Sequence, residues 1–340
     1  MTRSPSLWLA IALIVLPAAL TVPPAGAAQV AASIEFETVP RPAGLPEDMQ
    51  PLPGASLSFL SIKAIDGYKV AAALWQPVNK AAGATMLVQI HGSGANLAEL
   101  PLRTVARALS AKGYGALTIS TRGHDDNLNT DNFYDIRKDI EAAVAAAKAL
   151  GYQSIVLDGH SLGTIQAEYY AATDWDPTIK GLILSGPFAN LPWKSRTVLI
   201  QNEDAYASLA KAAVAAEHQG KGADVLAEKM PYLGGRQTPV TAQHFLTYRD
   251  QETSSADGTY WLPRVPEPVL MLRDQADGII LPFEPYMLLA AAKAPGALVP
   301  SITYEVVPDQ HPPSAAGHVF TDNTDALIAA VAKWLNEQRL

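Results

Sequence analysis

Cysteine is missing altogether from the 340 residues. Its absence excludes disulfides, thiolate catalysis, cysteine-ligated zinc or iron–sulfur sites, and lipid attachment of the bacterial lipoprotein kind. Excess positive charge is missing as well. Only 25 Lys and Arg stand against 33 Asp and Glu, a net charge of -8, and no basic stripe runs along the chain. That balance argues against a nucleic-acid partner. A membrane-length apolar run is also absent. The apolar stretch at 7–20 (LWLAIALIVLPAAL) falls short of the roughly 20 residues a bilayer span needs.

What is present reads as globular: 49% hydrophobic and 17% charged residues, enough for a sizeable core. The short apolar run follows Met1-Thr2-Arg3 and precedes Ala25-Gly26-Ala27, a small-residue cleavage pattern. Residues 1–27 are therefore expected to be a signal peptide. The mature protein is expected to be secreted or periplasmic, with no membrane span once the leader is removed. An uncleaved anchor is the alternative.

Residues 28–56 are rich in Pro and Ala without a sustained period, and are expected to form an arm packing on a domain that spans 57–340. Two antiparallel strands are expected at 57–65 and 69–75 around an Asp66-Gly67 turn. From 86 to 188 strands and helices alternate: strands at 86–90, 116–120, 155–158 and 181–185, helices near 97–112, 136–150 and after 161. This rhythm implies an α/β fold, with a mostly parallel twisted sheet and helices on both faces. It stops at about 189 and resumes with strands at 269–272 and 302–307, a helix near 283–293, and a final helix carrying Leu327, Ile328, Val331, Trp334 and Leu335 on one face. Residues about 189–265, with an Ala-rich helix at 204–217, are expected to be a helical cap inserted into the domain.

Gly159-His160-Ser161-Leu162-Gly163 lies between a strand and a helix. It fits the G-x-S-x-G pattern of a strained turn that lifts a serine hydroxyl above a sheet edge. A serine nucleophile needs a base, and the base needs a carboxylate to orient it. The loop after 269–272 offers Asp274 and Asp277, and the loop after 302–307 offers His311 and His318. The other histidines (His91, His124, His160, His218, His244) show no metal-ligand spacing and are expected to be structural or exposed.

With these motifs the chain resembles the α/β hydrolases over about residues 57–340. Two further stretches support the resemblance. His91-Gly92-Ser93-Gly94 is similar to the family's H-G-x-G oxyanion loop. Arg122-Gly123-His124 is similar to its R-G-H-G turn, with Asp125 in place of the last glycine. The resemblance implies Ser161 as nucleophile. It favours Asp277, which precedes an apolar pair and a proline, over Asp274 as the acid. It favours His318, just before the last helix, over His311 as the base. It also implies an oxyanion hole from the backbone N–H groups of Ser93 and Leu162, and no cofactor or metal.

The implied activity is hydrolysis of carboxylic esters through an acyl-enzyme, on a small-molecule ester or acyl substrate. A serine nucleophile disfavours the dehalogenase and epoxide-hydrolase chemistry that aspartate supports on this fold. A proline-iminopeptidase-like peptidase, an acyltransferase and a non-catalytic binding protein are the alternatives. The insertion's aromatics (Trp193, Tyr232, Phe245, Tyr248, Tyr260, Trp261) are expected mainly in the cap core. Its acids (Glu203, Asp204, Glu217, Asp224, Glu228) are expected on solvated faces, although a peptidase would need such groups for a substrate's ammonium.

Overall fold

Three strands at the centre of the chain's sheet are buried along their whole length, which is possible only where helices cover both faces. They are β4 (Thr85–Ile90), β5 (Gly115–Ser120) and, from its second residue on, β6 (Ser154–His160). The computed structural model describes residues Ile34–Leu340, which form one compact unit. The expected leader and residues 28–33 lie outside the described residues.

Before the central strands come β1 (Phe36–Val39), β2 (Ala55–Lys63) and β3 (Lys69–Pro77). After them come β7 (Ile179–Ser185), a two-residue pair β8 (Met230–Pro231) and β9 (Gln237–Thr238), then β10 (Val269–Asp274) and β11 (Ile302–Val307). Among the described residues the main sheet has nine strands in the order β1-β2-β3-β5-β4-β6-β7-β10-β11. The pairs β1·β2, β2·β3 and β3·β5 are antiparallel, and the rest are parallel. The arm is corrected here. Its residues Phe36–Val39 add an edge strand to the sheet, so the domain begins well before residue 57.

The helices are α1 (Leu102–Ser110), α2 (Ile136–Ala149), α3 (Leu162–Asp174), α4 (Leu191–Lys194), α5 (Glu203–His218), α6 (Ala242–His244), α7 (Gly258–Trp261), α8 (Glu284–Ala292), α9 (Ala315–His318) and α10 (Thr324–Glu337). One core layer packs the aliphatic face of α2 and α3 against the sheet, with Ile136, Ile140 and Val144 meeting Met86, Val88 and Leu157. The other layer brings α1 and α10 together, where Val105 and Leu109 share a cluster with Leu327, Val331 and Trp334. Between β7 and β10 the regular structure is helical apart from the β8–β9 pair, and this stretch has a small core of its own containing Leu209, Ala213, Val240 and Phe245. Two turns in this stretch, Ser195–Ile200 and Phe245–Arg249, are wound as wider π-helix. No described helix is long and apolar enough to cross a membrane.

Strand β4 has β5 on one side and β6 on the other, so the chain departs in opposite directions from these neighbours. In open α/β sheets the crevice beyond the carboxyl ends of such strands is where ligands bind. Ile90 pairs with Gly159 there, which places His91-Gly92-Ser93 beside Ser161.

Candidate active site

Ser161 follows β6 directly and opens α3 with φ 56° and ψ −120°. A non-glycine residue is costly in that region and persists only where the surroundings impose it. The flanking glycines explain why the bend is possible. A Cβ on Gly159 would lie 2.4 Å from the Gly163 carbonyl oxygen, and one on Gly163 would lie 2.2 Å from that of Ile90. Both contacts are with backbone and cannot be relieved by a rotamer change. Gly92 lies on the other side, where an added Cβ would be 3.0 Å from the Ser161 Cβ.

The loops after β10 and β11 are bound to each other. Asp277 and Ser314 form a parallel bridge, with the Ser314 amide donating to Ala276 at 2.9 Å and the Gly278 amide to Ser314 at 2.9 Å. Gly317 permits the approach, because a Cβ there would be 2.2 Å from the Ala276 carbonyl oxygen. The Ser314 hydroxyl caps α9 by accepting from the Gly317 amide at 3.2 Å. This short helix carries His318 to Asp277, where Nδ1 meets Oδ2 at 2.9 Å. The other carboxylate oxygen, Oδ1, accepts from the amides of Ile279 at 2.7 Å and Ile280 at 2.9 Å. Gly186, just past β7 at φ 57°, leaves space for the imidazole, since a Cβ would sit 3.0 Å from its Cε1.

Burial works against the Asp277 charge, but the His318 bond, its charge and the two amides outweigh it and hold the carboxyl below its usual range. Burial has the upper hand at His318 and keeps its imidazole below the ordinary histidine value, although Asp277 pulls the other way. A neutral ring with Nδ1–H given to Asp277 leaves Nε2 as a proton acceptor. Ser161, Leu162 and His318 line one pocket of about 550 Å³ of atom-free space, together with Gly92 and Ser93.

The rival candidates are placed elsewhere. Asp274 is a buried turn acceptor, taking bonds from the Ala276 amide at 2.7 Å and Asn323 at 2.9 Å. His311 is 65% exposed and bonded to Asp309 at 2.7 Å. Neither lines the pocket. Asp125 adopts φ 48°, the left-handed backbone that a glycine at this turn would take without strain.

Glu99 was not singled out from the sequence, and His160 was expected to be structural or exposed. His160 is buried and its Nε2 contacts the His318 carbonyl at 3.1 Å. Its Nδ1 stands 3.5 Å from Glu99, an ion-pair distance rather than a good hydrogen bond. Glu99 also accepts from the Gly92 amide at 2.8 Å and so ties the glycine loop down. His91 accepts from the Thr121 amide at 3.0 Å and meets the Gly92 carbonyl at 2.6 Å. It is buried, with both ring nitrogens on backbone groups. Of the insertion's aromatics, Phe245 and Tyr248 are buried in core, Tyr260 is exposed, and Tyr232 reaches the pocket with its hydroxyl on the Ser93 carbonyl at 3.2 Å. None of the insertion acids named above lines the pocket. Among the described residues no group of three or more His, Cys, Asp or Glu could hold a metal ion.

Residues 85–240 match the family model described as the alpha/beta hydrolase fold. No curated protein matches the sequence. Among solved structures, the ferulic acid complex of Est1E from Butyrivibrio proteoclasticus is similar with TM-score 0.60 and 21% identity, covering 81% of this chain and 98% of its own. The esterase domain of a Rhodothermus marinus protein has TM-score 0.55 and 20% identity over 84% of this chain and 98% of its own. A thermostable carboxyl esterase from Bacillus coagulans has TM-score 0.59 and 15% identity over 84% and 99%. At such identities the likeness speaks for the fold. Strand order, the serine elbow at the end of β6 and the matched family model agree: this chain has the α/β-hydrolase fold.

Proposed function

We propose that the protein hydrolyses carboxylic esters with Ser161 as nucleophile, His318 as general base and then acid, and Asp277 as the carboxylate that orients His318. The observation that carries this reading is the buried Asp277–His318 bond opening onto the same pocket as the strained Ser161. The Ser161 oxygen attacks the ester carbonyl as its proton passes to His318 Nε2. The tetrahedral oxyanion is held by the amides of Ser93 and Leu162, donors that typically supply about 2.7–4 kcal/mol each. Collapse expels the alcohol, which takes the proton from His318 and leaves an acyl-serine. Water, deprotonated by the same imidazole, then releases the acid and restores the serine. Asp277 stays ionised and stabilises the imidazolium. Esterases among the structural neighbours support the ester class over the amide class. The apolar leader of the sequence supports export to the periplasm or medium.

The test is fluorophosphonate labelling together with a kcat/KM series over short p-nitrophenyl esters and proline or alanine arylamides. Wild type should label at Ser161 and cleave the esters. Ser161→Ala should not label and should lose on the order of 10³-fold or more in turnover. More than about a tenth of the wild-type rate in that variant would remove the triad. Arylamides turned over faster than every ester would make the enzyme a peptidase.

A further inference from the structure

The pocket that holds Ser161 also holds three charged side chains, and two of them are already answered. Glu99 faces His160 and the Gly92 amide. Lys194 is bonded to Glu284 and to the Ile279 carbonyl. The third is Arg249, only 2% exposed, at the end of the π-helical turn Phe245–Arg249. No carboxylate among the described residues lies within ion-pair distance of it. Its Nε reaches His244 Nε2 at 3.4 Å and its Nη2 reaches Asn129 at 3.2 Å. Both partners are neutral, and Nη1 makes no hydrogen bond to the described residues. The nearest negative charge is Asp131, one residue removed: it holds His244 Nδ1 at 3.0 Å and accepts from the Tyr248 hydroxyl at 2.5 Å. This chain fixes the guanidinium's orientation and leaves it in the wall of the pocket.

A buried charge without a counter-ion is costly unless a ligand supplies one. The remaining pocket wall near the serine includes Phe188, Leu191, Leu199 and Leu233, which suits a hydrocarbon spacer. We propose that Arg249 is a specificity residue that binds a carboxylate of the substrate, so that the preferred esters are those carrying a free carboxylate at a distance from the scissile bond. The inference rests on the esterase reading and adds the substrate class. Guanidinium and carboxylate match in shape and charge, and burial strengthens the bond relative to one in water.

The experiment compares kcat/KM for two charged esters, mono-(4-nitrophenyl) adipate and 4-acetoxybenzoate, with their neutral methyl esters. For wild type at least one charged ester should exceed its neutral partner by roughly tenfold. In Arg249→Met that ratio should fall to about one, chiefly through KM, and Arg249→Lys should recover part of it. A merely structural arginine would lower both members of a pair together and leave the ratio unchanged, which would overturn the proposal, as would a wild-type ratio of one or less. If Arg249→Met does not fold, calorimetric binding to wild type decides: 4-methylbenzoate should bind at least tenfold more tightly than 4-methylbenzamide, by the same charge-assisted bond, and equal binding refutes the site. The calorimetry needs no turnover. An enzyme inactive on all esters yet selective for the benzoate would overturn the esterase reading and keep the carboxylate site.

Discussion

Two aspartate–histidine pairs lie on neighbouring loops at one end of the sheet, and only one of them borders the pocket that holds Ser161. Asp277–His318 and Asp309–His311 have similar bond lengths, 2.9 and 2.7 Å, through the same imidazole nitrogen. Their surroundings differ. The His318 side chain is 9% exposed and that of His311 is 65% exposed. Their titrations accordingly move in opposite directions. Burial lowers the His318 pKa, whereas the bond to Asp309 raises that of His311, where no desolvation of consequence opposes it. A carboxylate on an imidazole is thus not enough to make a base at neutral pH. Enclosure favours the neutral ring, and in the proposed mechanism the serine elbow beside it supplies the proton to be taken.

The comparison breaks if the wrong histidine proves essential. His318→Ala should cost on the order of 10³-fold or more in kcat, while His311→Ala should leave turnover within about twofold, as surface substitutions away from a site do. Steady-state kinetics on one p-nitrophenyl ester reads both. If His311→Ala is the inactive variant, the assignment of the two loops is reversed. The acids come next. Asp277→Asn should lose roughly 10²–10⁴-fold by disturbing the imidazole tautomer, with the protein still folded. Asp274→Asn should lower thermal stability before it lowers kcat, because Asp274 serves the turn and Asn323.

A pH series sharpens the contrast further. His318 must lose its proton to act, and its pKa is lowered, so kcat/KM should rise with pH through an apparent value below the ordinary 6.5. NMR titration of the two rings should place His311 above 6.5 and His318 below it. An identical midpoint for both would mean that burial does not separate them.

Burial acts with the opposite sign on an acid, which gives the smallest expected effect. Glu168 on α3 is buried with both carboxylate oxygens unpartnered, and a Cβ on Gly258 would be 2.7 Å from one of them. Desolvation, reinforced by the Asp257 charge, pushes its carboxyl well above the usual range. The unfolded chain then releases this proton at lower pH than the folded one, so stability falls as pH rises past the ordinary glutamate value. Glu168→Gln removes that loss. Its melting temperature should exceed wild type by roughly 2–4 °C at pH 8, with the gap closing toward pH 4–5. A gap independent of pH would mean packing, not ionisation, distinguishes the two.

The strands from β4 to β7 were legible because each is a short, mostly apolar run next to turn residues, and burial on both faces favours such runs. The elbow was legible because two glycines beside a serine have few other uses at a strand end. β1 was not legible. Its four residues, Phe36-Glu37-Thr38-Val39, lie half-exposed on the sheet edge, and what makes them a strand is pairing with β2 some twenty residues later.

The strained strand-to-helix turn at Ser161 follows from the sequence by itself, because local steric rules decide what a G-x-S-x-G turn must look like. That Asp277 meets His318, while Asp274 and His311 find other partners, was decided by tertiary structure, through the Asp277–Ser314 bridge and the close approach at Gly317. So was the pocket wall. Glu99, Tyr232 and Arg249 come from three separate stretches of chain, and whether a charge there is paired depends on what folding places opposite it. Periodicity and propensity describe a residue's own element. They carry no information about which buried charge is left without a partner.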